Sequence, residues 1–156
     1  MPFDGTTPAK PQLAQISAAQ SALVLDVVEV SFRDGAKWAR GTYSTLDGRR
    51  CLLEAVQVAR RQIGAQFDRA PDYLARAIRL RRGYGDLYLG TEGTVLAFND
   101  ARRRSWRQIA AVIRKAKALA EADAQHLPPA DRHFAILCEM AAETLPPARR
   151  ADASLN

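Results

Sequence analysis

The chain has 156 residues, 47% of them apolar and 26% charged, with a formal net charge of +6. That length suits one compact domain rather than two, and lets folding bury about 68–70% of the unfolded surface without help from disulfides, metal or obligate assembly. No run of 18 consecutive apolar residues occurs, and the opening MPFDGTTPAKPQ has neither a basic nor an apolar leader region; a cytoplasmic location and no membrane partner are therefore expected.

Of the 23 cationic residues, 19 are Arg and 4 are Lys, which favours bidentate contacts to carboxylate or phosphate. The excess is local. Residues 33–117 carry 19 basic and 8 acidic side chains, net +11, while the two ends together carry a net −5. A pI near 9.8 is the electrostatic footprint of a nucleic-acid binder, although arginine also serves to solvate helical faces. The two cysteines, Cys51 and Cys138, lie 87 positions apart in apolar helical patterns and indicate no disulfide framework.

Residues 1–11, with three prolines, read as a flexible lead-in. From Leu13 the residues Leu13, Ile16, Leu23, Val27 and Val30 follow helical spacing, interrupted at Gln20, and predict an amphipathic helix of about five turns. Turns at Asp34-Gly35 and Asp47-Gly48 separate it from a second helix over 49–63, closed by Gly64. A third opens at Pro71 and carries Tyr73, Leu74, Ala77 and Ile78 inward until Gly83. Residues 84–98 hold two β-prone runs around Gly90-Thr91-Glu92-Gly93 and predict a small hairpin or an irregular loop. Ser105 with Gln108 forms a capping-box signature ahead of the stripe Trp106, Ile109, Ala110, Ile113, Ala116 and Ala120. A fifth helix is expected from Pro129, with Phe134, Leu137, Cys138, Ala141 and Leu145 on one face, stopped by Pro146-Pro147. The elements add up to an all-α fold. It is a single compact domain of about five helices over 12–146, with a short irregular or β-hairpin insert near 84–98 and a flexible tail over 147–156.

Three short motifs in the middle of the chain carry a resemblance: Trp38-Ala-Arg-Gly41, Arg50-Cys51-Leu52-Leu53, and Phe98-Asn99-Asp100 followed by Arg104-Ser105. In this order they resemble a family of small uncharacterised bacterial and phage helical proteins with a W-x-x-G turn, an R-C-L helix start and an aromatic-Asn-Asp turn. The resemblance covers about half of the chain and implies no activity.

Trp38, Gly41, Arg50, Phe98, Asn99 and Asp100 thus form a candidate ligand or turn cluster. Turn chemistry predicts that Asn99-Asp100 forms an Asx turn, with Asp100 pairing to an Arg; the sharper alternative has both facing a pocket lined by Trp38 and the start of the second helix. Cys51, near a helix N-terminus and beside Arg49 and Arg50, sits where a thiol pKa would be lowered. With Asp100 it makes a candidate catalytic pair for a small hydrolase or transferase, but no general base accompanies it, and buried packing is the commoner fate of cysteine. His126, His133 and Asp131 do not complete a metal set, and no glycine-rich phosphate loop occurs; neither metal nor cofactor is expected. Two arginine patches are candidates for anion or nucleic-acid contact. One comprises Arg76, Arg79, Arg81 and Arg82; the other Arg102, Arg103, Arg104, Arg107, Arg114 and Lys115, with Trp106 as a possible stacking surface. The reading is a non-enzymatic accessory or regulatory protein that binds an acidic protein or nucleic acid.

Overall fold

Helix α1 (Lys10–Ser31) carries apolar residues on more than one side, and the stripe that enters the core is not the one its simplest spacing suggests. In the computed structural model, which describes residues 10–81 and 89–125, Ala18, Ser21, Val24, Leu25, Val28 and the following Phe32 are buried. Leu13, Leu23 and Val30 face solvent. Polar partners decide the rotation. Asp26 pairs with Lys117 and Glu29 with Arg114, while Gln20 and Ser21 accept the amides of Phe67 (2.9 Å) and Arg69 (2.7 Å). Gln20, an interruption in the apolar pattern, is thus a clasp on the segment that precedes the third helix. The stretch Leu13–Ser31 is long and apolar enough to cross a membrane by length and composition; here one side of it builds the core.

Those ion pairs set α1 antiparallel to α5 (Trp106–Gln125), so the end of one lies beside the start of the other. Phe32 meets Trp106 there, ring centroids 5.3 Å apart and nearly edge-on. Directly after Phe32 the chain makes a single 3₁₀ turn, Arg33–Gly35, with three successive positive φ angles: Arg33 at 47°, Asp34 at 54° and Gly35 at 94°. Glycine is required at the third, because a Cβ there would lie 2.5 Å from Cγ of Trp106.

Helix α2 (Leu52–Ile63) buries Leu52, Leu53, Ala55, Val56 and Ala59 and ends at Gly64 in the left-handed conformation, as its sequence predicts. It starts later than expected: Cys51 is the N-cap and Arg49 and Arg50 belong to the preceding loop. Helix α3 (Ala70–Arg79) has proline in its first turn and buries Leu74, Ala75, Ala77 and Ile78. Its first amide donates to the buried Asp68 carboxylate (2.8 Å), which also pairs with Arg60. At the other side of α3, Tyr73 and Arg76 both reach Asp123 near the end of α5.

The all-α class holds, but the insert is corrected. Residues 91–98 belong to helix α4 (Thr91–Asp100), started by Gly90 and burying Thr94, Val95, Phe98 and Asn99. Those four positions recur at helical spacing, and the core they reach outweighs the local β preference of Thr94-Val95-Leu96. Among the described residues the only β pairing is two isolated bridges at Arg50. Residues 84–88, the expected fifth helix from Pro129, and the two terminal segments expected to be flexible, apart from the helical Lys10 and Pro11, lie outside the described residues; α4 makes up the five helices seen.

Replacing Gly35 by Ala should lower stability by about 2–5 kcal/mol, combining a left-handed φ with overpacking against Trp106. Gly41, at φ 73° but with open space around its Cβ position, should cost only about 1–2 kcal/mol on the same change. Urea denaturation of the two variants measures the difference.

Candidate functional site: a buried amide and a cation-rich end

The loop between Ala36 and Cys51 is held along its length. Ala39 N–H donates to Arg50 O and Arg50 N–H to Lys37 O (2.8 Å each); Cys51 N–H donates to Tyr43 O at 2.8 Å. Lys37 Nζ donates to Asp47 O at 2.7 Å, and Gly48 N–H closes a turn on Thr45 O at 3.0 Å. The loop has no helix or sheet of its own. What fixes it to the domain is the last turn of α4.

Asn99 is fully buried. Its Oδ1 accepts from Trp38 Nε1 at 2.9 Å and from Leu52 N–H at 3.2 Å. Its Nδ2 donates to Ala39 O at 3.1 Å and to Asp100 Oδ1 at 2.7 Å. Both donors and both acceptor sites of the amide are therefore used. Asp100 Oδ1 also accepts from Gly41 N–H at 2.8 Å. The structure thus brings together Trp38, Gly41, Asn99 and Asp100, with Arg50 joined through its backbone. The two expectations for this pair are both corrected. Asn99 and Asp100 are helical rather than an Asx turn, Asp100 takes an amide and not an arginine, and although Asn99 does face Trp38 and the start of α2, the space between is filled by their hydrogen bonds.

Cys51 has a capping role. Its Sγ accepts from Glu54 N–H at 3.5 Å, while Leu52 N–H, another of the unpaired amides of the first turn, is taken by Asn99. The thiol is 1% exposed. Burial pushes its pKa up, and the nearby Asp100 and Glu54 charges add to the rise, outweighing the amides that would lower it. The expected lowering by Arg49 and Arg50 does not occur, since those side chains lie in the loop and Arg49 is paired to Asp47. A nucleophile paired with Asp100 would need the opposite shift. Among the described residues no three His, Cys, Asp or Glu side chains are placed to hold a metal; His126, His133 and Cys138 lie outside them.

Phe98, the neighbour of Asn99, points into the core. The Arg104 guanidinium lies 3.7 Å from its ring centroid and donates to Phe98 O at 2.9 Å; Arg81 lies 5.9 Å from the same ring. The two arginine patches of the sequence therefore touch at Phe98. Other patch members are absorbed elsewhere: Arg76 pairs with Asp123 and Arg114 with Glu29, and Arg79 donates to Leu89 O and Thr94 Oγ1. Arg82 lies outside the described residues. Arg102, Arg103, Arg107 and Lys115 are exposed.

Helix directions bring several exposed cations together. The end of α1, the start of α2, the end of α4 and the start of α5 meet at one end of the bundle, tied by Phe32 to Trp106 and by Leu52 to Asn99. Arg33, Arg40, Arg102, Arg103 and Arg107 are all exposed there, and none has an ion-pair partner among the described residues. Arg33 and Arg40 were not singled out in the sequence, where they stand alone. The only hint was their place beside Gly35 and Gly41, each of which packs onto or bonds to the 98–106 segment.

Fold and site define a small helical domain whose polar centre is occupied by its own side chains and which, among the described residues, exposes five arginines without ion-pair partners at one end. The chain belongs to a family of unknown function, DUF6197, which matches residues 32–119. That segment runs from Phe32 through most of α5 and contains the whole Asn99 cluster. No curated protein and no solved structure matches the chain.

Asn99→Asp, nearly isosteric, should destabilise by about 3–5 kcal/mol, since it replaces the Nδ2 donor with an oxygen facing Ala39 O and Asp100 and buries a charge. Asp100→Asn should cost less than about 2 kcal/mol because it can keep an acceptor for Gly41 N–H; thermal or urea unfolding reads both. In a Cys138→Ser background, iodoacetamide should modify native Cys51 slowly, with a pH midpoint above the ordinary thiol range. A thiol kept neutral by the fold contributes its stability below the unfolded-state pKa and loses it as pH rises through the raised one, so stability should fall on the alkaline side and Cys51→Ser should flatten that fall.

Proposed function

We propose that the protein is a non-catalytic accessory or regulatory module of the cytoplasm, which binds an acidic partner through the cation-rich end of its bundle. The observation that carries this reading is the contrast among its cations. Six are matched by carboxylates along the flanks, at Arg60, Arg61, Arg69, Arg76, Arg114 and Lys117, and Arg49 pairs with Asp47 within the loop. The exposed group of Arg33, Arg40, Arg102, Arg103 and Arg107 has no such match among the described residues. Asp34 is the carboxylate within that group's own turn, and Asp100 is engaged by Gly41 and Asn99. Concentrated like charge is unfavourable in the free protein and is relieved by an anionic partner, which also gains from electrostatic steering.

Arg102→Ala, Arg103→Ala and Arg107→Ala combined should leave the unfolding midpoint within a few degrees of wild type, because the three side chains are exposed. The same variant should bind immobilised polyglutamate and duplex DNA at least about tenfold more weakly, and wild-type binding should decline with added salt. Equal binding by variant and wild type, or binding that does not respond to salt, overturns the reading.

A further inference from the structure

Two exposed apolar side chains stand on the loop that Asn99 and Asp100 hold to this cation-rich end. Leu46, at the tip of the Thr45–Gly48 turn, is 111% exposed, and Tyr43 is 57% exposed. A lone exposed leucine is unremarkable on a protein surface. Here the backbone that carries it is fastened at both sides, by the bridges of Arg50 to Trp38 and Ser44, by Lys37 on Asp47 O and by Asp100 on Gly41 N–H. A side chain presented by a fixed backbone loses little freedom when a partner covers it, so its burial converts more fully into affinity.

Three other aromatic groups of this end are engaged in the fold. Trp38 spends its N–H on Asn99, Trp106 packs on Phe32 and over Gly35, and Phe98 is buried beneath Arg104. None of the three is more than partly exposed. A single strand would find Tyr43 as the one well-exposed ring among these four aromatics to stack on, and neither a single strand nor a duplex backbone has a use for an apolar knob such as Leu46. Tyrosine and arginine together are instead the residue types enriched at protein–protein contacts.

We infer that the partner is an acidic protein segment that also carries apolar side chains. Its carboxylates would meet Arg102, Arg103 and Arg107 in bidentate contacts, and an apolar side chain would cover Leu46 and Tyr43. The inference rests on the acidic-partner reading of this end and narrows it to one class of molecule.

The test compares four labelled probes by fluorescence anisotropy: a Glu/Asp-rich peptide with Leu and Phe at every third or fourth position, polyglutamate of equal charge, single-stranded DNA and duplex DNA. The amphipathic peptide should bind at least about tenfold more tightly than polyglutamate, the effect of burying one leucine-sized side chain. Leu46→Ser with Tyr43→Ser should remove that preference and leave polyglutamate binding unchanged; because both positions are exposed, the variant should keep the wild-type unfolding midpoint. Arg102→Ala with Arg103→Ala should weaken both peptides. Equal binding of the two peptides, a preference that survives the loop substitutions, or DNA bound as tightly as the amphipathic peptide overturns the inference while the acidic-partner reading stands. Failure of all four probes to bind sinks both.

Discussion

A carboxamide buried without partners costs several kcal/mol, and one with every donor and acceptor used becomes a fixed joint. Asn99 is such a joint. Through one side chain it holds the indole of Trp38, the backbone of Ala39, the first amide of α2 and the carboxylate of Asp100. Without it the 36–51 loop would lose its main attachment to α4, and α2 would begin with an unpaired buried amide. Cys51 extends the same arrangement by one bond, capping the helix whose first amide Asn99 takes. The burial that makes this joint strong also keeps the Cys51 thiol protonated, so the stability of the cluster and a nucleophilic role for that cysteine are opposed.

The same packing sorts the arginines. Along the flanks Arg76 of α3 and Arg114 and Lys117 of α5 lie beside Asp123, Glu29 and Asp26 at the right helical level, and their charge is locally cancelled. Just past the end of α1, beside the start of α5, the chain turns through three positive φ angles and packs Gly35 onto Trp106. That turn leaves Arg33 outside, a few residues from Arg40 and against the segment bearing Arg102 to Arg107. Chain reversal thus adds Arg33 and Arg40 to the arginines of the 102–107 run.

Much of the helical frame was legible. The stripe of α5, the apolar face of α2 with its Gly64 stop and the proline start of α3 all follow local rules that survive packing. What was not legible needed partners distant in the chain. The rotation of α1 depends on Lys117 and Arg114, and on amides near Phe67; Val24, Leu25 and Val28 read locally as β-prone yet form its buried side. Helix α4 was hidden because its glycines and β-branched residues argue against helix unless Val95 and Phe98 have a core to enter. For the site, the residues Trp38, Gly41, Asn99 and Asp100 were identifiable as a group, but their use of one another as hydrogen-bond partners, in place of the Asx turn or the alternative pocket, needed contacts across some sixty residues.

Arg104 shows why charge counts along a sequence overstate a binding surface. It stands in the run Arg102-Arg103-Arg104 and would be counted as a third ligand for an anion. Its guanidinium is instead placed over Phe98 with Nε committed to Phe98 O, where moving it would uncover the ring behind the Asn99 joint. Its neighbour Arg103, at φ 62°, turns the backbone so that adjacent side chains diverge: one group is drawn onto the core and the other is left in water. Much of the net +11 of residues 33–117 is thus drawn into the framework, at Arg76, Arg79, Arg104 and Arg114, while Arg33, Arg40, Arg102, Arg103 and Arg107 stay exposed at one end.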